Sequence, residues 1–251
     1  MAVRKKALEV SLIGPIIDTQ TLKDENDNRR ASRSFHASSI GDCGRKQWYG
    51  LRGFPQDPAV DHGHWRRDAN AGNAIHDQYQ SMLIRAGVVL STDDALAAAG
   101  WKREDYTVEL PKYALELPLP PNPYRIGGRI DAIVRVEGTN WIMDIKTVKE
   151  KDFAAMTPGN YKFKKYMAQL NVYMFFTGIR NALIWLICRN DSKMREFQVY
   201  YDEEWCENQI QRIARLKEMV DSSELPPAEP DFFGCSFCSF STFCVGNEKE
   251  I

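Results

Sequence analysis

Apolar and polar positions along this chain follow two different periods. Between residues 105 and 148, apolar side chains crowd into short runs bounded by Gly, Pro and Asn, which predicts strands at 105–110, 113–118, 126–136 and 141–147. Elsewhere the spacing lengthens to that of helices. Residues 73–87, "NAIHDQYQSMLIRAG", read as a helix ended by Gly87, and 160–177 read as another. A third helix at 203–220 carries Ile210, Ile213, Leu216 and Val220 at helical spacing. Strands at 181–189 and 195–201 fall between these last two helices, and a short helix fits 42–53. There is no internal repeat. Strands mixed with helices predict a single α/β or α+β domain around one sheet. Residues 1–35, with the polar run "KDENDNRRASRS", read as a loosely ordered arm, and the tail after Pro226 reads as loop.

One stretch breaks the apolar pattern. In "WIMDIKTVKE" (141–150), Asp144 and Lys146 interrupt a buried-looking strand. A buried charge is unfavourable unless it is paired or holds a metal. The run "GGRIDAIVRVEGTNWIMDIKT" predicts a hairpin turning tightly at Gly138-Thr139. With that turn, opposed residues sum to 277, which sets Asp131 directly opposite Lys146, with Asp144 on the same face. Two carboxylates on one face suit Mg²⁺ or Mn²⁺. Beside them a lysine can orient water or stabilise a crowded phosphoryl group. By itself the triplet equally fits a salt bridge across a hairpin.

Composition narrows the choices. At 251 residues, 43% hydrophobic and 27% charged, the chain has the make-up of an ordinary globular protein. Its apolar runs, such as "ALIWLIC" (182–188), are too short to span a bilayer. The N-terminal stretch, broken by Gly14 and Pro15, reads as non-secretory. A net charge of −1 excludes a uniformly basic surface, though not a local basic groove. Of the six cysteines, Cys235, Cys238 and Cys244 form a C-x2-C-x5-C cluster, which favours a metal or cluster site in a reducing compartment over disulfides. Cys188 and Cys206 read as packed free thiols.

Taken together, "GNAIH" (72–76), "GRID" (128–131), "DIK" (144–146) and "QLNVY" (169–173) resemble, in order and spacing, the motifs of the RecB-like branch of the PD-(D/E)xK nuclease superfamily. The resemblance runs from about residue 36 to 245. It implies a restriction-endonuclease-like central mixed sheet flanked by helices, forming one nuclease domain over 36–251. It also implies that His76, Asp131, Asp144 and the Ile145 carbonyl bind the metal, and that Lys146, Asp131 and Asp144 are catalytic together with Gln169 and Tyr173, which one helical turn apart can both point at the metal site or the DNA strand. "SSIGDCGRKQWYGLRG" is similar to the start of iron–sulfur relatives found in AddB-type helicase-nucleases and CRISPR adaptation nucleases, with Gly44 where many have proline. By that likeness Cys43 joins Cys235, Cys238 and Cys244 around a 4Fe–4S cluster, tying the N- and C-terminal segments together. Four thiolates also suit zinc. Phe232, Phe233, Phe237, Phe240 and Phe243 would supply a dry shell.

"NYKFKKYM" (160–167) interleaves Lys162, Lys164 and Lys165 with Tyr161, Phe163 and Tyr166, as a nucleic-acid groove requires. Arg45, with Lys46, Arg66, Arg67, Lys149 and Lys151, adds charge, while His62 and His64 read as solvent-facing. The implied function is a metal-dependent deoxyribonuclease, an exonuclease on single-stranded ends. The rival readings are a structure-specific endonuclease and a non-catalytic DNA-binding or assembly subunit. No G-x-x-x-x-G-K-[ST] motif is present, so the chain has no helicase of its own and acts alone or beside separate recombination, replication or CRISPR-adaptation proteins, in the cytoplasm of a prokaryotic or phage-infected cell.

Overall fold

The strand-like runs assemble into one mixed sheet. The structure is a computed structural model that describes residues 16–17, 19–20, 33–57, 63–229, 235–236 and 238–247. The sheet comprises β2 (Leu115–Pro118), β4 (Arg129–Val136), β5 (Thr139–Val148), β6 (Ala182–Cys188) and β7 (Met194–Val199), in the order β2-β4-β5-β6-β7. Only β5 and β6 run parallel. A parallel pair needs a long crossover. Here it runs through α4 (Glu150–Ala155) and α5 (Tyr161–Thr177). A separate parallel pair joins β1 (Phe35–His36) to β3 (Ile126–Gly127).

Both sheet faces are covered. Ile133, Ile142, Ile184 and Leu186 join the main core with Phe163, Leu170 and Met174 of α5. The apolar stripe of α6 (Glu203–Ser222) joins the same core, as do Trp48 and Tyr49 of α1 (Gly44–Leu51). Ala132, Val134, Met143, Ile145 and Ile187 meet Ile75, Tyr79 and Leu83 of α2 (Gly63–Arg85) in a second cluster. Each fully buried Val, Leu, Ile, Phe or Met among them contributes about 1.5–3 kcal/mol.

The hairpin register differs from expectation. Glu137 (φ 49°) and Gly138 (φ 78°) form the two-residue turn, and Val136 pairs with Thr139. A type I′ turn needs positive φ at both central positions. β-Branched Thr139 resists that conformation, so it starts the strand instead. The opposed sum is therefore 275, not 277: one residue past the Ala132–Met143 pair, Asp131 comes level with Asp144 rather than Lys146. A slip of two residues preserves the faces, so the convergence survives.

Other boundaries also moved. The expected strand 105–110 does not form: Arg103–Asp105 is a short 3-10 turn, and Val108 is exposed. The edge of β4 is already occupied, because Leu90 donates to Ile133 and Arg135 donates to Val88 through the backbone, which leaves 105–110 no ladder to join. Helices α3 (Thr92–Ala99), α4 and α7 (Ser241–Asn247) were not anticipated, and α2 starts ten residues before 73. Residue 35 of the expected arm is buried in β1, whereas 1–15, 18 and 21–32 lie outside the described residues. No helix among the described residues is long and apolar enough to cross a membrane.

Candidate active site

The site forms where the hairpin opens. The β4–β5 ladder ends at Ala132 and Met143. Beyond it, the Ile145 N–H donates not to a backbone carbonyl but to Asp131 Oδ2, at 2.7 Å. The Asp131 carboxylate thus sits between diverging strands. Asp144 is 1% exposed. Lys146 Nζ donates to its Oδ1 at 2.7 Å, while Asp144 Oδ2 is buried with no hydrogen-bond partner. Lys146 Nζ also lies 5.1 Å from the Tyr166 ring centroid.

α2 brings His76 in from the side, with Nε2 at 3.1 Å from Asp131 Oδ2 and Nδ1 at 3.8 Å from Glu116 Oε1. His76, Glu116 and Asp131 offer ligand atoms that all lie within 4.8 Å of one another. Glu116 was missed in the sequence. The pairs Leu115–Ala132 and Leu117–Ile130 set it level with Asp131. Gln80 Nε2 holds both neighbours, donating to Glu116 Oε1 at 3.0 Å and to the Asp131 carbonyl at 2.9 Å. The lone acid in "LELP" was a visible signal, but nothing local set its register against "GRID".

The electrostatics follow from burial among charges. Desolvation pushes the Asp144 carboxyl up to about 7, and the attraction of Lys146 offsets this only in part. Burial disfavours charge on Lys146, but Asp144 and Asp131 outweigh it and hold the ammonium above its ordinary range. His76 is likewise raised: burial opposes its charge, and Asp131 and then Glu116 favour it more strongly.

Gln169 and Tyr173 brace the site from α5. Gln169 Nε2 donates to the Tyr173 hydroxyl at 3.1 Å, which donates to the Arg129 carbonyl at 2.7 Å. The Tyr173 ring lies so close to Gly128 that a Cβ there would sit 2.9 Å from it, so glycine is needed where β4 begins. Of the basic residues before Gln169, Lys162 pairs with Asp152 and Lys165 with Asp42, both at 2.8 Å, and Lys164 is exposed. Arg45, expected at a DNA surface, is 6% exposed instead. Its Nε donates to the Pro226 carbonyl at 3.0 Å and its Nη1 reaches Cys244 Sγ at 3.5 Å, so it braces the interior.

That contact lies in a corner where the chain's two ends meet. Tyr49 packs on Phe240 and Phe243, with ring centroids 5.6 and 6.0 Å away, and the Asp57 N–H donates to the Ser239 carbonyl at 2.7 Å. Cys43, Cys238 and Cys244 are half-buried, Cys235 is exposed, and none forms a disulfide. Burial raises the Cys238 thiol, and neighbouring Cys43 and Cys235 add to the effect. Among the described residues the four thiols do not close into a set as tight as the His76 group. Phe232, Phe233, Phe237, His62 and the side chains of His64 and Arg66 lie outside what is described, while Cys188 and Cys206 are buried as expected.

His76, Glu116, Asp131 and Lys146 open on a cleft of about 740 Å³ that runs on past Arg129, Asp68, Thr147 and Arg189. Residues 56–245 match the family model of the PD-(D/E)XK nuclease superfamily. The fold is similar to the crystal structure of SSO0001, with a TM-score of 0.50 and 16% identity over 93% of this chain and 96% of that one. An alkaline exonuclease from Laribacter hongkongensis, LHK-Exo, aligns with a TM-score of 0.48 and 12% identity over 77% of this chain and 93% of its own. No curated protein matches the sequence.

Proposed function

Because the chain belongs to the PD-(D/E)XK nuclease superfamily, we propose that it is a metal-dependent deoxyribonuclease that degrades single-stranded DNA from its ends. The carrying observation is the meeting of Asp131, Asp144, Lys146 and His76 where β4 and β5 part, with one Asp144 oxygen buried and unpartnered. An orphaned buried carboxylate oxygen is unfavourable unless a cation completes it. Hard oxygen donors with one imidazole fit Mg²⁺ or Mn²⁺. His76, Asp131, Asp144, the Ile145 carbonyl and Glu116 would hold the ion. When bound, such an ion activates water and stabilises charge on the phosphoryl oxygens.

The protein's own groups do the rest. Lys146, its proton held by Asp144 and Asp131, serves as a fixed cation rather than a general base. Tyr166 and Asp144 hold its ammonium in place. Gln169 and Tyr173 set the start of β4, and with it Asp131. Asp131 and Glu116 raise the pKa of His76, and a metal would require its neutral form, so metal uptake there would be coupled to proton release. Lys162, Lys164 and Lys165 are the proposed strand contacts outside the cleft. Cys43, Cys235, Cys238 and Cys244 are the proposed seat of a 4Fe–4S cluster. The support for it is that Cys43, Cys235 and Cys238 are neighbours and that Arg45 links α1 to Cys244. Iron and sulfide content of anaerobically purified protein, set against its zinc content, decides the assignment.

The test of activity is cleavage of end-labelled linear and of circular single-stranded DNA with Mg²⁺ or Mn²⁺, and with EDTA. Metal-dependent loss of linear DNA alone is expected, and the label gives the polarity. Cut circles would replace the exonuclease with an endonuclease. Intact DNA that is nonetheless bound would leave a non-cutting subunit.

A further inference from the structure

Beyond the metal group, the far end of the cleft holds a second polar cluster that the proposed chemistry leaves unused. Arg189 follows β6, and its N–H donates to the Val148 carbonyl, so it continues the parallel pair past the C-terminal end of β5. Its guanidinium grips Asp68 of α2, with Nη1 to Oδ1 at 2.9 Å, Nη2 to Oδ2 at 3.2 Å and Nη1 to the Asp68 carbonyl at 2.7 Å. Lys149 Nζ reaches the same carboxylate at 3.2 Å from the rim. One carboxylate therefore serves two cations, and the cluster of Arg189, Lys149 and Asp68 carries a net positive charge. Arg189 Nε is buried without a hydrogen-bond partner.

The shape points the same way. Gly72, one turn along α2 from Asp68, faces this floor: a Cβ there would stand 3.0 Å from Thr147 Oγ1 and 3.9 Å from Arg189 Nη1. Glycine lets α2 approach the Thr147 hydroxyl and the Arg189 guanidinium this closely, with no side chain between them. Asp68, Gly72, Thr147 and Arg189 line the same cleft as His76, Asp131 and Lys146. A guanidinium held by a carboxylate is pre-oriented and binds a tetrahedral anion with less loss of side-chain freedom. The open ends of parallel strands are where α/β sheets bind ligands.

We propose that Arg189, Lys149 and Thr147, with Asp68 as the latch that orients the two cations, form a phosphate subsite for the DNA strand distinct from the scissile position. The assignment rests on the nuclease reading above. Its ligand chemistry is a phosphate group, from an internal phosphodiester or a strand terminus. Arg189 and Lys149 are positioning residues, and they set where the strand lies over the metal group.

The test uses the full-length protein with EDTA, so that binding is read without cleavage. Fluorescence anisotropy of 5′-phosphorylated and 5′-hydroxyl single strands is followed across a salt series for Arg189→Gln, Lys149→Gln and the unaltered protein. Lys149 is 59% exposed, so its replacement leaves the fold intact even if Arg189→Gln loosens α2. Arg189→Gln is expected to bind roughly tenfold more weakly, and each variant to lower the salt slope by about 0.7. Cleavage with metal should show a raised KM with kcat nearly unchanged for Lys149→Gln. Equal losses on both strands identify an internal phosphate, and loss confined to the phosphorylated strand identifies a terminal one. Unchanged slopes and KM in both variants would overturn the subsite while leaving the nuclease reading intact. Failure of the unaltered protein to bind or cut DNA would overturn that reading instead.

Discussion

The hairpin end and the cysteine corner both gather reactive side chains, yet they are assembled in opposite ways. Asp131, Asp144 and Lys146 come from one two-stranded unit joined by a tight turn. The corner joins Arg45 to Cys244 and Asp57 to Ser241, residues from opposite ends of the chain. The first needs a small loop closure, the second a large one. What sets them apart is where geometry is specified. The hairpin fixes its side chains through strand parity, whereas the corner depends on the whole intervening domain having folded.

The sharpest way to break the comparison is at the hairpin. Asp144→Asn should reduce cleavage on the order of a thousandfold or more, with DNA binding retained in an anisotropy assay. Persistent cleavage would remove Asp144 from the active site. At the corner, Tyr49→Ala deletes the ring that meets Phe54, Phe240 and Phe243. It should lower stability by about 3–5 kcal/mol and Tm by roughly 10 °C. A scan showing loss of the α1 and α7 contacts ahead of the sheet would confirm that the corner depends on closure.

A pH series separates the regions further. In metal-free protein Asp144 keeps its proton up to about pH 7, against 3.8 in the unfolded chain. The native state therefore binds more protons across that window, and this carboxyl's contribution to stability falls as pH rises through it. His76, whose pKa is also raised, acts in the same direction. Urea melts of the unaltered protein and of Asp144→Asn should diverge in slope between pH 4 and 7, and Mg²⁺ should stabilise more at pH 8 than at pH 6. The smallest effect belongs to the turn. Glu137→Asn relieves a non-glycine residue at φ 49° and should stabilise by about 0.5–1 kcal/mol, raising Tm by a few degrees. A destabilised variant would mean that Glu137 makes a contact beyond the turn.

Much of this was legible along the chain. The strands 113–118 and 141–147 and the helices 160–177 and 203–220 correspond to β2, β5, α5 and α6 within a few residues. The helix Thr92–Ala99 carries readable end signals in "STDDALAAAG": Ser91 caps it by accepting from the Asp94 N–H, and Gly100 ends it at φ 67°. Other features were not legible. Glu116 belongs to the site only through the β2–β4 register, and Arg45 leaves the proposed DNA surface only because Pro226 and Cys244 fold back onto it. The link from Arg189 to Asp68 spans α3, α4 and α5 and the strands β2 to β6.

By itself, the sequence determined which residues share a face. Side chains alternate along a strand, so Asp144 and Lys146 point the same way, and a two-residue error in the turn could not separate them from Asp131. Only the tertiary structure decided how far apart the strands lie at that point, that α2 packs so as to set His76 against Asp131, and that Asp144 is dry. Those are properties of packing. The divergence of β4 and β5 is held by Tyr173 and Gly128 on one side and by α2 on the other. Burial, and with it the shift of a carboxyl toward neutral pH, exists only once every layer has closed.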